Sequence, residues 1–308
     1  TGSRNAIYLN AGSSINVSNG STFEIYGYGT AGKEGQGLQL DKAGAAEVNV
    51  TGKSTFLIDG TNRGYVNSPA IYVEDSTFTV QNCTANASNG GNFTAINSKI
   101  TYYKNAGHGL SAGNVTIKKG SEFTADNNGY YGLYASSGFY VDSTSTVNVT
   151  HNSHGGDFAG LKLTSGVTDG LVEVGATVNI TDNYCSGLSN NGVCEFEEGV
   201  NLTITGNNND KGTTSNGGGI YNSGASANLA LPSNAVIYNN HADTAGDDIF
   251  NNTTSTITFG KVGSNWVLDD CNHTITGWFD DSANSRWNVH TGPVHAELYE
   301  DATTAVTG

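Results

Sequence analysis

Thr146-Val147-Asn148-Val149-Thr150-His151-Asn152 decides the fold, because it returns as Thr-Val-Asn-Ile-Thr-Asp-Asn at 177–183 and as Asn-Leu-Thr-Ile-Thr-Gly-Asn at 201–207. Looser copies lie upstream: Thr-Phe-Glu-Ile-Tyr-Gly at 22–27, Thr-Phe-Leu-Ile-Asp-Gly at 55–60, Thr-Phe-Thr-Val-Gln-Asn at 77–82, Lys-Ile-Thr-Tyr-Tyr-Lys-Asn at 99–105 and Glu-Phe-Thr-Ala-Asp-Asn at 122–127. A last copy, Ala-Val-Ile-Tyr-Asn-Asn, occupies 235–240. Their lead apolar residues, from Phe23 to Val236, are 22 to 34 residues apart. Apolar and polar residues alternate in the clearest copies, Val147 and Val149 one way and Asn148 and Thr150 the other, which is the requirement of a strand with one buried face.

A second phrase follows most copies, a short strand opened by a small residue, as in Gly132-Leu133-Tyr134-Ala135, Gly160-Leu161-Lys162-Leu163 and Gly219-Ile220-Tyr221. A third strand-like stretch, such as Gly138-Phe139-Tyr140-Val141 or Leu171-Val172-Glu173-Val174, lies between them. Three short strands per repeat of this length are the signature of a parallel β-solenoid. The expected fold is all-β, a right-handed parallel β-helix of about nine to ten coils. Coils stacked at about 4.8 Å give a rod on the order of 45 Å long. The recurring asparagines Asn82, Asn105, Asn127, Asn152, Asn183, Asn207 and Asn240 then fall in register, and stacked amides can satisfy turn backbone groups inside the rod. A sandwich or antiparallel barrel would need tight hairpin turns, which are scarce here.

The cadence stops near residue 254. The stretch 255–308 holds Trp266, Trp278 and Trp287, and bulky aromatics suit a cap that covers the last coil and blocks edge-to-edge growth. The expected organisation is one domain, a β-helix over 1–254 and its C-terminal cap over 255–308.

Composition narrows the function classes. Glycine is 42 of 308 residues, charged residues are 13%, and 28 acids against 13 bases give a net charge of −15. Lys118-Lys119 is the only adjacent basic pair, so nucleic acid is excluded as a partner for want of a phosphate-tracking surface. No apolar run approaches the roughly 18 residues of a membrane span, so no direct membrane insertion is expected. The chain opens at Thr1 and contains no Met; the expectation is an excised, monomeric part of a longer surface protein.

With the coils assigned, the chain resembles right-handed parallel β-helices of the pectate-lyase-like superfamily, and particularly β-helix domains of secreted or cell-wall-anchored bacterial surface adhesins. The resemblance covers nearly the whole chain and rests on the Gly-Leu-x-Leu and Thr-Val-Asn-Val-Thr-x-Asn phrases. It also rests on the stretch Asn239 to Phe250 and on the ending Ile275-Thr276-Gly277-Trp278-Phe279-Asp280-Asp281 with Arg286-Trp287, which is similar to large surface proteins of gut Firmicutes. It implies an extracellular, cell-surface domain that binds a host or microbial glycan, a mucin or a surface protein without chemistry. The alternatives on the same fold are a polysaccharide lyase or glycoside hydrolase, and a structural stalk.

No catalytic residues are assigned. Polygalacturonase-like hydrolases resemble this chain in carrying a Gly-His-Gly, here Gly107-His108-Gly109. Their Asn-Thr-Asp and Arg-Ile-Lys are absent, and Asp247-Asp248 follows the histidine instead of preceding it. The candidate binding surface comes from the turns after the repeated asparagines, which carry His108, then Tyr130 and Tyr131, then His154, Asp157 and Phe158, then Tyr184. Rigid aromatic planes beside hydrogen-bonding groups suit sugar rings or a protein hot spot. No metal site is assigned, since His151, His154 and Asp157 on a strand-to-turn segment need not converge as they would on a helix. No cofactor is expected, with calcium in the turns at Asp126, Asp157, Asp182 and Asp210 as the one alternative. Cys83 lies about four coils, on the order of 19 Å, from Cys185, too far for a bridge. Cys185 and Cys194, placed on adjoining coils, are the disulfide candidate.

Overall fold

The computed structural model describes residues 4–27, 35–40, 46–67, 70–154, 158–208, 216–269, 272–280, 294–300 and 306–307. Within them the chain is a parallel β-helix, with no α-helix and with every strand-to-strand pairing parallel.

Three ladders run along the rod. The third, built from the repeated phrase, is a nine-stranded sheet from Thr22–Tyr26 to Val236–Tyr238. Its register holds without a shift, so Val147 pairs with Val178 and Val178 with Leu202. The second ladder begins at Ser14–Val17 and Glu47–Val50 and passes through Gly170–Val172 and Val193–Phe196. The first opens as a three-stranded sheet of its own, Arg4–Leu9, Gly35–Leu40 and Arg63–Val66, is carried on by backbone hydrogen bonds through Ala87, and resumes as strands through Leu133–Val141, Ala159–Leu163, Ser186–Asn190, Ile220–Asn222 and Ile249–Asn251. In two coils a single nine-residue strand, Leu110–Lys118 or Leu133–Val141, turns the corner and serves both ladders.

Pairing does not stop at residue 254. Thr256–Thr258 extends the second ladder, and Val294–Glu300 pairs with Ile249–Asn251 in the first. In the third ladder Trp266 takes over from a strand, stacking on Tyr238 at 5.0 Å and meeting Trp278 edge to face at 6.0 Å. Trp287 lies outside the described residues.

Alternate residues point inward, and Val147, Val149, Val178, Ile180 and Ile204 are fully buried. Near the N-terminal end Phe23, Phe56 and Phe78 stack at 5.0 and 5.2 Å. Aromatic contacts at that separation add to burial.

The turns inside the rod are held by a continuous column of amides: Asn105, Asn128, Asn152, Asn183, Asn207 and Asn240. From Asn128 onward each Oδ1 accepts from both the backbone N–H and the Nδ2 of the residue one coil before, as Asn152 Oδ1 does from Asn128 at 3.0 and 2.8 Å, and Asn105 Oδ1 accepts from Cys83 N at 3.0 Å. Each Nδ2 also reaches a strand carbonyl of the preceding coil, Ala125 O at 2.8 Å for Asn152. Two of the expected positions are corrected: Cys83 and Asn128, not Asn82 and Asn127, point into the column. Asn82 and Asn127 instead take φ of 55° and 58°, the left-handed conformation that asparagine tolerates. A shorter serine column runs parallel, with the N–H of Ser54, Ser76 and Ser98 each donating to the next serine's Oγ at 3.1 Å.

The amide column explains the small residue that opens the second phrase. A Cβ at Gly132 would lie 2.5 Å from Asn152 Nδ2, and one at Gly160 would lie 2.6 Å from Asn183 Cγ.

The expected Cys185–Cys194 bridge does not form. The two residues share one coil but serve different ladders: Cys194 is a free, buried thiol paired with Gly170 and Leu229. Cys185 directs its Sγ–H at Ser153 O, 3.6 Å away on the preceding coil.

The column ends on a carboxyl group. Asp248 Oδ1 accepts from Asn240 N and Nδ2 at 3.1 and 2.8 Å, and burial pushes its pKa up to about 8. The folded chain therefore holds a proton that the unfolded chain releases near 3.8, so the contribution of Asp248 to stability is full below that pH and is lost as pH rises through about 8. Asp248→Asn is expected to flatten this slope, read as melting temperature against pH. Asn152→Ala leaves the N–H of Asn128 and the carbonyl of Ala125 unpaired in the core, and urea unfolding is expected to show a loss of about 3 kcal/mol.

Candidate functional site

The residues singled out from the turns come together in two groups. In the first, Tyr130 and Tyr131 sit on the turn between the Asn128 column position and the strand Leu133–Val141, so their backbone is fixed from both sides. Tyr130 N donates to Gly107 O at 3.1 Å, and Ser153 N donates to Tyr130 O at 3.1 Å, which stacks three successive turns. This register brings His108 to 5.2 Å from Tyr131 with the rings 7° from parallel, and Tyr130 to 4.4 Å from Phe158 at 28°. Phe158 also meets Tyr131 edge to face at 5.0 Å, and Tyr134 joins through Tyr131 at 5.4 Å. All five rings are partly exposed.

The second group is a pair, His154 and Tyr184, with centroids 3.9 Å apart. His154 is held below the usual imidazole range by burial first; a hydrogen bond that it donates to the His151 backbone carbonyl and the charge of Asp126 oppose this, and the nearby His151 side chain adds to it. Asp157, named with these residues, lies outside the described residues, as does Asp210.

In the first group His108 stacks on Tyr131 and Tyr130 on Phe158, and in the second His154 is tilted 37° to Tyr184. A ring stacked on its neighbour in the next coil has that face covered, whereas sugar stacking requires an open face. The edges remain suited to a protein surface.

His108 is a neutral imidazole. Burial pulls its pKa down to about 4, and its Nδ1 is buried with no hydrogen-bond partner among the described residues. The glycines beside it have a structural cause: a Cβ at Gly107 would strike the Asn86 side chain, and one at Gly109 would lie 2.5 Å from Gly132 O. Asp247-Asp248 is likewise structural, since Asp248 ends the amide column and Asp247 Oδ1 accepts from Ala242 N at 2.8 Å. His151 Nδ1 pairs with Asp126 Oδ1 at 2.9 Å, and the same oxygen accepts from Thr150 Oγ1 at 2.8 Å. Among the described residues no three His, Cys, Asp or Glu side chains converge to hold a metal ion.

A second aromatic row went unread in the sequence. On the outer face of the first ladder Tyr134, Lys162, Ser189, Tyr221, Phe250 and Tyr299 are aligned coil by coil. Tyr221, Phe250 and Tyr299 stack at 5.4 and 5.0 Å. The signal was the third residue of the Gly-Leu-x-Leu phrase, tyrosine at 134 and 221, which only the alignment of coils turns into a row.

Compared with protein-family models, with curated proteins and with solved structures, the chain matches none.

Because the folded pKa of His108 lies below its ordinary 6.5, its contribution to stability is present above that pH and is lost as pH falls toward about 4. Histidine resonances followed by NMR are expected to show one imidazole that stays neutral down to about pH 4.

Proposed function

We propose that this chain is a non-catalytic binding domain of a bacterial surface protein, similar to the β-helices of wall-anchored adhesins in the pectate-lyase-like superfamily. In this reading it is displayed outside the cell, secreted or anchored, and grips its partner with one side of the rod. The observation that carries the reading is the partly exposed cluster of His108, Tyr130, Tyr131, Tyr134 and Phe158, five rings gathered on one edge across three coils. Rigid aromatic side chains supply contact area at low entropic cost and are common at interaction hot spots. Their contacts with one another cover ring faces that a sugar would need, which favours a protein surface over a sugar ring. Host proteins and mucin polypeptide therefore rank above glycans as partners.

The polysaccharide-cleaving alternative draws on Gly107-His108-Gly109 and Asp247-Asp248, and both stretches have packing reasons for their residues. The purified domain, screened on an array of host surface proteins, mucins and glycans with reducing-end release assayed in the same wells, is expected to bind saturably without release. Tyr130→Ala with Tyr131→Ala is expected to weaken binding at least about tenfold, since aromatic anchors of this kind carry about 2 kcal/mol or more. Release of new reducing ends would falsify the non-catalytic reading.

A further inference from the structure

The outer face of the first ladder differs from the other two in charge. Acids project from the second ladder at Glu74 and Glu195, and from the third at Glu24, Asp59 and Asp126. From Tyr134 to Tyr299 the aligned row of the first ladder carries no acid and one amine, Lys162. In a chain of net charge −15 this row is free of acids from Tyr134 to Tyr221, and Glu297, two residues before Tyr299 on the outward side of its strand, stands at the far end of the face.

Lys162 is unusual within it. Its side chain lies along the sheet onto the next coil, where Nζ donates to Ser189 Oγ at 2.9 Å and to Asn191 Oδ1. Both acceptors are neutral, and among the described residues the ion pairs are Lys99–Glu122, His151–Asp126 and His241–Asp269, none of which involves Lys162. Burial pulls its pKa down to about 8, as expected of an ammonium group removed from water without a counter-ion. An ammonium has three hydrogens to donate, and two are used.

Aromatic side chains stand on both sides of the amine. Tyr134, part of the His108 cluster, precedes Lys162 by one coil, and Tyr221, head of the Tyr221–Phe250–Tyr299 stack, follows Ser189 by one coil. Three coil steps separate Tyr134 from Tyr221, about 14 Å at strand spacing. Four residues of extended chain cover about 13 Å, and alternate side chains share a face. A peptide lying along the rod thus places side chains i and i+4 on the two aromatic groups and side chain i+2 over the amine.

We propose that the outer face of the first ladder is an axial groove for an extended peptide segment of the partner protein, in which a carboxylate that pairs with Lys162 is flanked two residues to each side by apolar side chains. This rests on the reading that the domain binds a protein, and it adds a second contact surface and the chemistry that surface selects. The carboxylate takes the unused donor of Lys162, and the flanking side chains cover Tyr134 and Tyr221. Water is thereby kept from the ion pair, which raises its strength.

Two fluorescein-labelled peptides test it, one with the core Leu-Ser-Glu-Ser-Leu and one with Gln in place of Glu, titrated by anisotropy into the purified domain. The Glu peptide is expected to bind about tenfold more tightly, a difference of about 1.4 kcal/mol. Lys162→Met is expected to abolish the preference and Lys162→Arg to retain most of it, with thermal melts reporting whether each variant folds. The Glu-to-Gln comparison is made on the unaltered protein and stands even if a variant fails to fold. Equal affinity for the two peptides, no binding of either, or a preference that survives in a folded Lys162→Met protein overturns the groove. Lys162-dependent binding of polysialic acid in place of the peptide overturns it in favour of an acidic glycan. A domain that binds array proteins through Tyr130 and Tyr131 but ignores both peptides keeps the surface-binding reading and loses the groove. A preserved Glu preference with no effect of the double tyrosine substitution does the reverse.

Discussion

The rod depends on the column of asparagine amides at its inner corner. A chain that turns three times per coil places turn N–H and C=O groups where water cannot reach them, and each such group left unpaired costs about 1–3 kcal/mol. A parallel β-ladder satisfies the strands and leaves the corner unsatisfied. The asparagine side chain, with two donors and an acceptor in one plane, answers the backbone N–H, the strand carbonyl and the next amide together. Because each amide relies on the next, the coils are locked in phase, and the apolar columns and the outer rows inherit that phase.

Three consequences follow from the lock. The residue before each column position turns left-handed, as at Asn127, His151 and Asp182. The residue opening the next strand must be glycine wherever the amide leans on it, as at Gly132 and Gly160. The column also needs an end, and it finds one in Asp248, an acceptor kept protonated by burial far above the ordinary carboxylate range. The outer side chains then repeat coil by coil, which stacks the rings of Tyr221, Phe250 and Tyr299 face to face. The same repetition that builds an aromatic row covers the ring faces that meet within it.

Much of this was legible in the sequence, and the misreadings have physical causes. The nine copies of the strand phrase and their alternation predicted the third ladder, because a buried face demands apolar residues at period two and repeats demand them coil after coil. Asn127 and Asn128 were confused because one turn uses asparagine twice for different reasons, once for its tolerance of positive φ and once for its amide. At Cys83 the column position is not an amide at all, which hid it behind Asn82. The Cys185–Cys194 pairing misled because nine residues cover two strands of one coil, and residues that close in sequence face different ladders. The serine column was invisible as a pattern, since serine before a strand is ordinary turn chemistry.

The sequence by itself determined the class of fold, the inward and outward sense of the strands from Thr22–Tyr26 to Asn201–Thr205, and the recurrence of His108, Tyr130, Tyr131 and Phe158 at successive turns, because these depend on local periodicity and on the length of a repeat; in the last copy Ala235 and Ile237, not Val236, point inward. Tertiary structure alone decided which residue of each turn enters the column and that Cys194 stays a thiol. It alone set Lys162 beside Ser189 and Asn191 between two aromatic groups. Those outcomes depend on the register between coils 22 to 34 residues apart, and register is set by the summed fit of amide columns, glycine contacts and core side chains along the whole rod, a quantity that no single repeat contains.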